Sequence, residues 1–119
     1  MASSATPLRE MQWCPADKAV ARRAFDLALA RELGASVREA KERAAKIQQP
    51  SGLWELERWL TERSSAIVRK YDYRYSVLPL VLATLLREER LTEDDLHGLA
   101  QDKLDAIRRQ QSLAPCFFL

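Results

Sequence analysis

Lys70-Tyr71-Asp72-Tyr73-Arg74-Tyr75-Ser76-Val77-Leu78 lies between two long helical patterns and decides how the whole chain is read. A bland connector would carry Gly, Ser or Asn. This one carries Tyr71, Tyr73 and Tyr75 alternating with charged side chains. Tyrosine rings bury well on one side and hydrogen-bond at the tip. With Leu53-Trp54 one helix earlier, the run points to a binding protein and not to an enzyme.

Upstream of this run, the spacing predicts a helix from about Leu53 to Tyr71, with Ser51 as its N-cap. Leu53, Leu56, Leu60, Ile67 and Tyr71 make its apolar face. Trp54 falls at the edge of that face, and Trp59 is expected to be half-buried. A longer helix is predicted before it. Pro15-Ala16-Asp17 marks its start, with proline in the first turn and an acid beside it. Pro50 cannot continue a helix, so the end is placed near Gln48. Phe25, Leu29, Leu33, Val37, Ala40, Ala44 and Ile47 step along it at helical spacing. Gly34 costs about 1 kcal/mol against Ala in such a helix and suggests a bend or a close helix contact. Roughly thirty helical residues span about 45 Å, whereas a compact chain of this size is only about 30 Å across. The helix therefore overhangs, and a second copy is the simplest cover.

Downstream, Pro79 fits only a first turn, so a third helix starts near Val77 or Leu78 and runs to Arg90. It is apolar nearly all round until Leu86, which implies burial on several sides. Thr92-Glu93-Asp94-Asp95 is a cap with an acidic first turn. Gly98 breaks that segment, and a last helix covers Asp102 to Gln110. The expectation is an all-α fold: a long N-terminal helix packed on a second long helix, plus a small helical head. Residues 1–12 read as a flexible tail, 13–111 as a single domain and 112–119 as a second tail. Within the domain, 13–72 is the extended dimerising part and 73–111 the head.

Composition narrows the function. The 119 residues suit one domain, and a net charge of +2 is too small to argue for nucleic acid or an anionic membrane. Arg108-Arg109-Gln110-Gln111 could mimic a reading edge, but Glu93, Asp94, Asp95, Asp102 and Asp105 surround it and would repel phosphate. Met1 to Glu10 has no apolar core of a signal peptide, and the longest apolar stretch, Val77 to Leu86, is too short to span a bilayer. A cytoplasmic protein is expected. Cys14 and Cys116 lie near opposite ends without metal-ligand spacing and are read as reduced thiols. His97 is the one histidine and is read as a surface residue. No catalytic triad, metal cluster or phosphate-cradling glycine loop can be assembled, so neither enzyme activity nor a cofactor is expected. Trp54 has two readings, an interface or core tryptophan, or an exposed anchor for a partner. Arg58, Arg63, Arg69, Lys70 and Arg74 cluster after it.

The pieces Trp13, Phe25, Arg31-Glu32-Leu33, Leu53-Trp54 with Leu56 and Leu60, Lys70-Tyr71-Asp72 with Arg74 and Ser76-Val77, Asp102-Lys103, and Ile107 together resemble the fluorescence recovery protein family of cyanobacteria. The resemblance implies an all-helical homodimer without cofactor. It would bind the photoactivated orange carotenoid protein and speed its return to the dark form, ending phycobilisome quenching. It implies a dimer interface at Leu33, Val37, Leu53 and Trp54. It also implies a partner-binding surface at Trp54, Glu57, Arg58, Ser64, Leu80 and Ala106, with Arg63 one place before the position of a family arginine. Here the sequence departs from the family, which carries His, Asp and Arg where this chain has Glu57, Arg58 and Ser64, and Phe and Lys where it has Leu80 and Ala106. The alternative reading is a helical dimeric adaptor for another, unidentified protein partner.

Overall fold

A computed structural model of the chain describes residues 8–113. Four helices follow in order: α1 Pro15–Ala45, α2 Ser51–Lys70, α3 Leu78–Arg87 and α4 Gln101–Leu113. Short 3-10 turns occupy Leu8–Glu10 and Glu93–Leu96, and the described residues contain no strand. The molecule is elongated, 63 × 30 × 20 Å, because α1 runs on beyond the head. The first half of α1 joins α3, α4 and the Glu93–Leu96 turn in one core. Its second half turns back through residues 46–50 into α2, forming a stalk.

The head therefore takes part of its core from the N-terminal helix, and not from 73–111 alone. Ala21, Ala24 and Ala28 are buried on α1 with Phe25, and Leu82, Leu85, Leu96 and Ile107 close over them. Residues ahead of 13 also pack onto the domain: Met11 is buried, and the Gln12 carbonyl accepts from Lys103. At the other end α4 runs through Ser112 to Leu113. Residues 1–7 and 114–119, including Cys116 and the Phe117-Phe118 pair, lie outside the described residues.

The buried stripe of α1 is not the line expected from the sequence. Each four-residue step along a helix advances about 40° past a full turn. The series Phe25, Leu29, Leu33, Val37 thus winds from the core to the outside. Phe25 is 5% exposed, Leu33 46% and Val37 53%. The line that faces α2 carries Glu32, Ser36, Glu39 and Arg43, so α1 meets α2 largely through polar groups. Arg63 donates to Ser36 and Glu39, and Lys70 donates to Glu32.

Helix ends differ from expectation for local reasons. α1 stops at Ala45, a turn before Gln48, and the Lys46 N–H closes its end on the Glu42 and Arg43 carbonyls. Ser51 is the first helical residue of α2, not its cap. Pro50 holds the cap position without a side-chain bond. A Cβ on Gly52 would stand 3.0 Å from Ile47 Cγ2, so a larger residue in the tight turn between α1 and α2 would push the Ile47 side chain aside. Thr92 forms the expected capping box with Asp95. Gly98 adopts φ +106° with Val20 Cγ2 3.0 Å from where a Cβ would sit.

α3 ends at Arg87, before the expected Arg90, because Glu89 enters the left-handed region at φ 63°. Arg90 N–H then donates to Leu85 O at 2.8 Å and Glu89 N–H to Leu86 O at 3.0 Å, a Schellman closure. A non-glycine residue pays roughly 1–2 kcal/mol there, part of which a glycine loses again through chain entropy. Glu89→Gly is therefore expected to raise unfolding free energy by about 0.5–1 kcal/mol, read by chemical denaturation. No gain would mean that the Glu89 side chain makes a compensating contact.

Candidate protein-binding surface

The tyrosine run turns inward. Phe25 stands edge-on to Tyr71 and Tyr73, with ring centroids 5.4 and 4.8 Å apart. Tyr75 lies 5.5 Å from Tyr73 and 5.4 Å from Trp13. The Arg22 guanidinium covers Tyr73 at 4.5 Å. Such ring pairs contribute about 0.5–1.5 kcal/mol beyond area burial. The run therefore joins head and stalk, with its rings packed inward. Its exposed part is the Arg74–Asp72 pair at 2.6 Å, a surface ion pair of small energetic weight.

Tyr71 is also hydrogen-bonded. Its hydroxyl donates to Glu32 Oε1 at 2.8 Å. Burial, then this bond and the carboxylate charge, push the phenol pKa well above its ordinary value. Burial alone would raise the Glu32 carboxyl, but Lys70, Tyr71 and Arg90 outweigh it and hold it below the usual range.

The outward surface belongs to α2. Trp54 is 62% exposed, which removes its core reading. Glu57 and Arg58 are exposed and lie three and four residues on, so they share its helix face. Ser64, also exposed, borders that face, and Val68 continues it. Leu53, at 53% exposure, and Leu60 form an apolar flank beside it. Arg63 does not take part. It points to α1, donates to Ser36 Oγ at 3.3 Å and Glu39 Oε1 at 3.2 Å, and its guanidinium lies 4.9 Å from the Trp59 ring. Arg43 covers the same ring at 4.7 Å and pairs with Glu39 at 2.9 Å. Trp59 is thus the half-buried ring expected, clamped between two arginines.

On the head, Leu80 is 43% exposed near the start of α3. Ala106 is fully buried against the head core, so it offers no surface to a partner, and its place in the binding set is withdrawn. The amphipathic period of α4 turns that position inward between Lys103 and Ile107, both buried.

Sequence reasoning missed a buried ion pair. Lys103 and Asp17 are 4% and 2% exposed, and Lys103 Nζ lies 3.4 Å from Asp17 Oδ2. Asp17 Oδ1 accepts from Ala100 N–H at 2.9 Å and so caps α4. Lys103 reaches Asp102 at 3.1 Å and lies 5.5 Å from the Trp13 ring. The signal was the Asp in the first turn of one helix and the Lys in the first turn of another, but nothing local pairs them across 86 residues.

Among the described residues no group of His, Cys, Asp and Glu is placed to hold a metal ion, and His97 is exposed. No helix among them is long and apolar enough to cross a membrane. The chain is a helical protein with a stalk and a head, and its exposed tryptophan and leucines make the outer face of α2 the candidate surface for a protein partner.

Residues 13–111 match the family described as photoprotection regulator fluorescence recovery protein. The fluorescence recovery protein of Synechocystis sp. is 34% identical over 99 residues, 83% of this chain and 91% of that one. The structure of the Fremyella diplosiphon fluorescence recovery protein aligns with a TM-score of 0.79 at 37% identity, covering 85% of this chain and 99% of that one. The Synechocystis structure aligns at 0.80 and 33% identity, covering 86% and 100%. The chain belongs to the fluorescence recovery protein family.

Proposed function

We propose that the chain is a homodimeric, non-enzymatic, cytoplasmic regulator. It binds the photoactivated form of an orange carotenoid protein and speeds that protein's return to the dark form, ending phycobilisome quenching. The observation that carries the reading is Trp54, 62% exposed on the outer face of α2 in a chain that matches the family from residue 13 to 111. A regulator of this kind needs no covalent chemistry. It must bind the closing form of its partner better than the open one. Holding two separated domains together raises their effective concentration and lowers the barrier to re-docking. The homodimer is supported by the polar character of the α1–α2 contact, which leaves Leu33, Val37, Leu53 and Leu60 uncovered.

A second reading is an adaptor for another protein, and Arg58 favours it. It stands where the family carries Asp, and reversing a close interfacial charge costs several kcal/mol. The deciding experiment is the dark relaxation rate of a photoactivated orange carotenoid protein with and without this chain. Acceleration at equimolar amounts is the expected result. No acceleration and no co-elution would move the function to another partner. Trp54→Ala is expected to weaken partner binding about thirtyfold, in line with roughly 2 kcal/mol for an interface tryptophan. The melting temperature should stay within a few degrees, because the ring makes little contact inside its own chain. A large drop in melting temperature with unchanged partner binding would overturn the anchor role.

A further inference from the structure

We propose that Glu32 is a positioning residue: its buried carboxylate fixes the head at one angle to the stalk. The residue lies on α1 where the helix leaves the head core, four residues after fully buried Ala28 and one before exposed Leu33. Three residues from two separate segments converge on its two oxygens. Oε2 accepts from Lys70 Nζ at 2.8 Å, at the end of α2. Oε1 accepts from Tyr71 Oη at 2.8 Å, at the entry to the connector. Arg90 Nε, held by the Schellman closure after α3, stands 3.7 Å away.

The surrounding groups complete the joint. Lys70 also bonds Glu88 at 2.5 Å, and Arg31 Nη1 donates to Arg90 O at 2.8 Å and pairs with Asp95 at 2.9 Å. Three carboxylates, Glu32, Glu88 and Asp95, thus meet three cations, Lys70, Arg90 and Arg31. The charges cancel, so the cluster is satisfied within the chain and calls for no bound ion. A network of this kind, with one buried carboxylate among partly exposed partners, adds little net stability over apolar packing. What it adds is direction: one carboxylate hydrogen-bonded to Lys70 and Tyr71 at the end of α2 and ion-paired with Arg90 after α3 forbids the sliding that a leucine would permit. The angle matters because Trp54 lies on the stalk and Leu80 on the head. Their separation sets which partner geometry both can touch. This last consequence rests on the proposed regulator function, whereas the joint itself does not.

Two arms test the proposal on the full chain. Hydrogen–deuterium exchange of Glu32→Gln should show amides of residues 68–71 exchanging at least tenfold faster than in the wild type. Amides of Leu82, Leu85 and Ile107 in the head core should keep their rates. Tyr71→Phe, which keeps the ring against Phe25 and removes only the hydroxyl, should show the same pattern more weakly. It decides the matter if Glu32→Gln does not fold. Parallel acceleration at the joint and in the head core, or no local change, would overturn the proposal. In the recovery assay above, the same variants should lower the maximal acceleration several-fold while the half-saturating concentration stays within about twofold. An unchanged maximum with loosened joint amides would overturn the link from angle to function. If the wild-type chain itself accelerates nothing, the regulator reading fails and the exchange arm alone decides the joint.

Discussion

Asp17→Ala should remove about 3–5 kcal/mol of unfolding free energy, the cost of leaving a buried charge without its partner. Lys103 would stay in the head with only the Gln12 carbonyl and the exposed Asp102 to satisfy it. The Ala100 N–H at the start of α4 would lose its acceptor as well. Denaturation of the variant would show the loss. Asp17→Leu combined with Lys103→Met should recover at least half, since an apolar pair of similar volume often replaces a buried ion pair at no cost. Equal losses in the single and double variants would mean that the helix cap, not the charge, carries the effect.

The pH dependence follows from the same site. Burial alone would raise the Asp17 carboxyl, but the Ala100 amide, the Cys14 thiol and the Lys103 ammonium outweigh it and hold it below the ordinary value. A depressed folded-state pKa means that the contribution is fully present above the unfolded pKa of about 3.9. It is lost as the pH falls through the lower folded value. The stability gap between wild type and Asp17→Ala should therefore be constant from pH 7 to 5 and shrink in stronger acid.

How much of this was legible in the sequence depended on the range of each interaction. Pro15, Pro50, Pro79, Thr92 and Gly98 act on their own backbone or a neighbour's, so the elements they punctuate fell within a few residues of expectation. Glu89 gave no signal, because nothing in a glutamate announces the left-handed region. The structure reaches it only because Leu85 and Leu86 carbonyls need closing donors. Charged side chains were read as solvated by default, which hid Lys103, Asp17 and Glu32, whose partners are far away in sequence. Alternation of ring and charge in the tyrosine run did not reveal which way the rings face. That was set by Phe25, nearly fifty residues upstream. Of the candidate surface, Trp54 and its α2 neighbours were legible from helical spacing. The diversion of Arg63 needed the positions of Glu39 and Trp59 on two helices at once.

Leu53→Glu should raise the dissociation constant of the proposed dimer by a hundredfold or more, about 2.7 kcal/mol. Within one chain the substitution is harmless. Leu53 is 53% exposed, and an acid in the first turn of α2 suits the positive end of the helix. A loss of association therefore cannot be traced to a broken fold. Across a two-fold axis the same patch occurs on both copies, so each interface receives two carboxylates where it had two leucines. Burying an unpaired charge in an apolar contact costs several kcal/mol unless the contact opens. Light scattering at micromolar concentration should give twice the chain mass for the wild type and the single chain mass for Leu53→Glu, with helical content nearly retained. An unchanged mass would remove Leu53 from the interface. The monomer, if obtained, also separates two roles that adjoin in the sequence, since it still presents Trp54 on the outer face of α2. Retained partner binding would assign that face to a single copy. Binding lost together with the dimer would mean that the second copy completes the surface on which Trp54 stands.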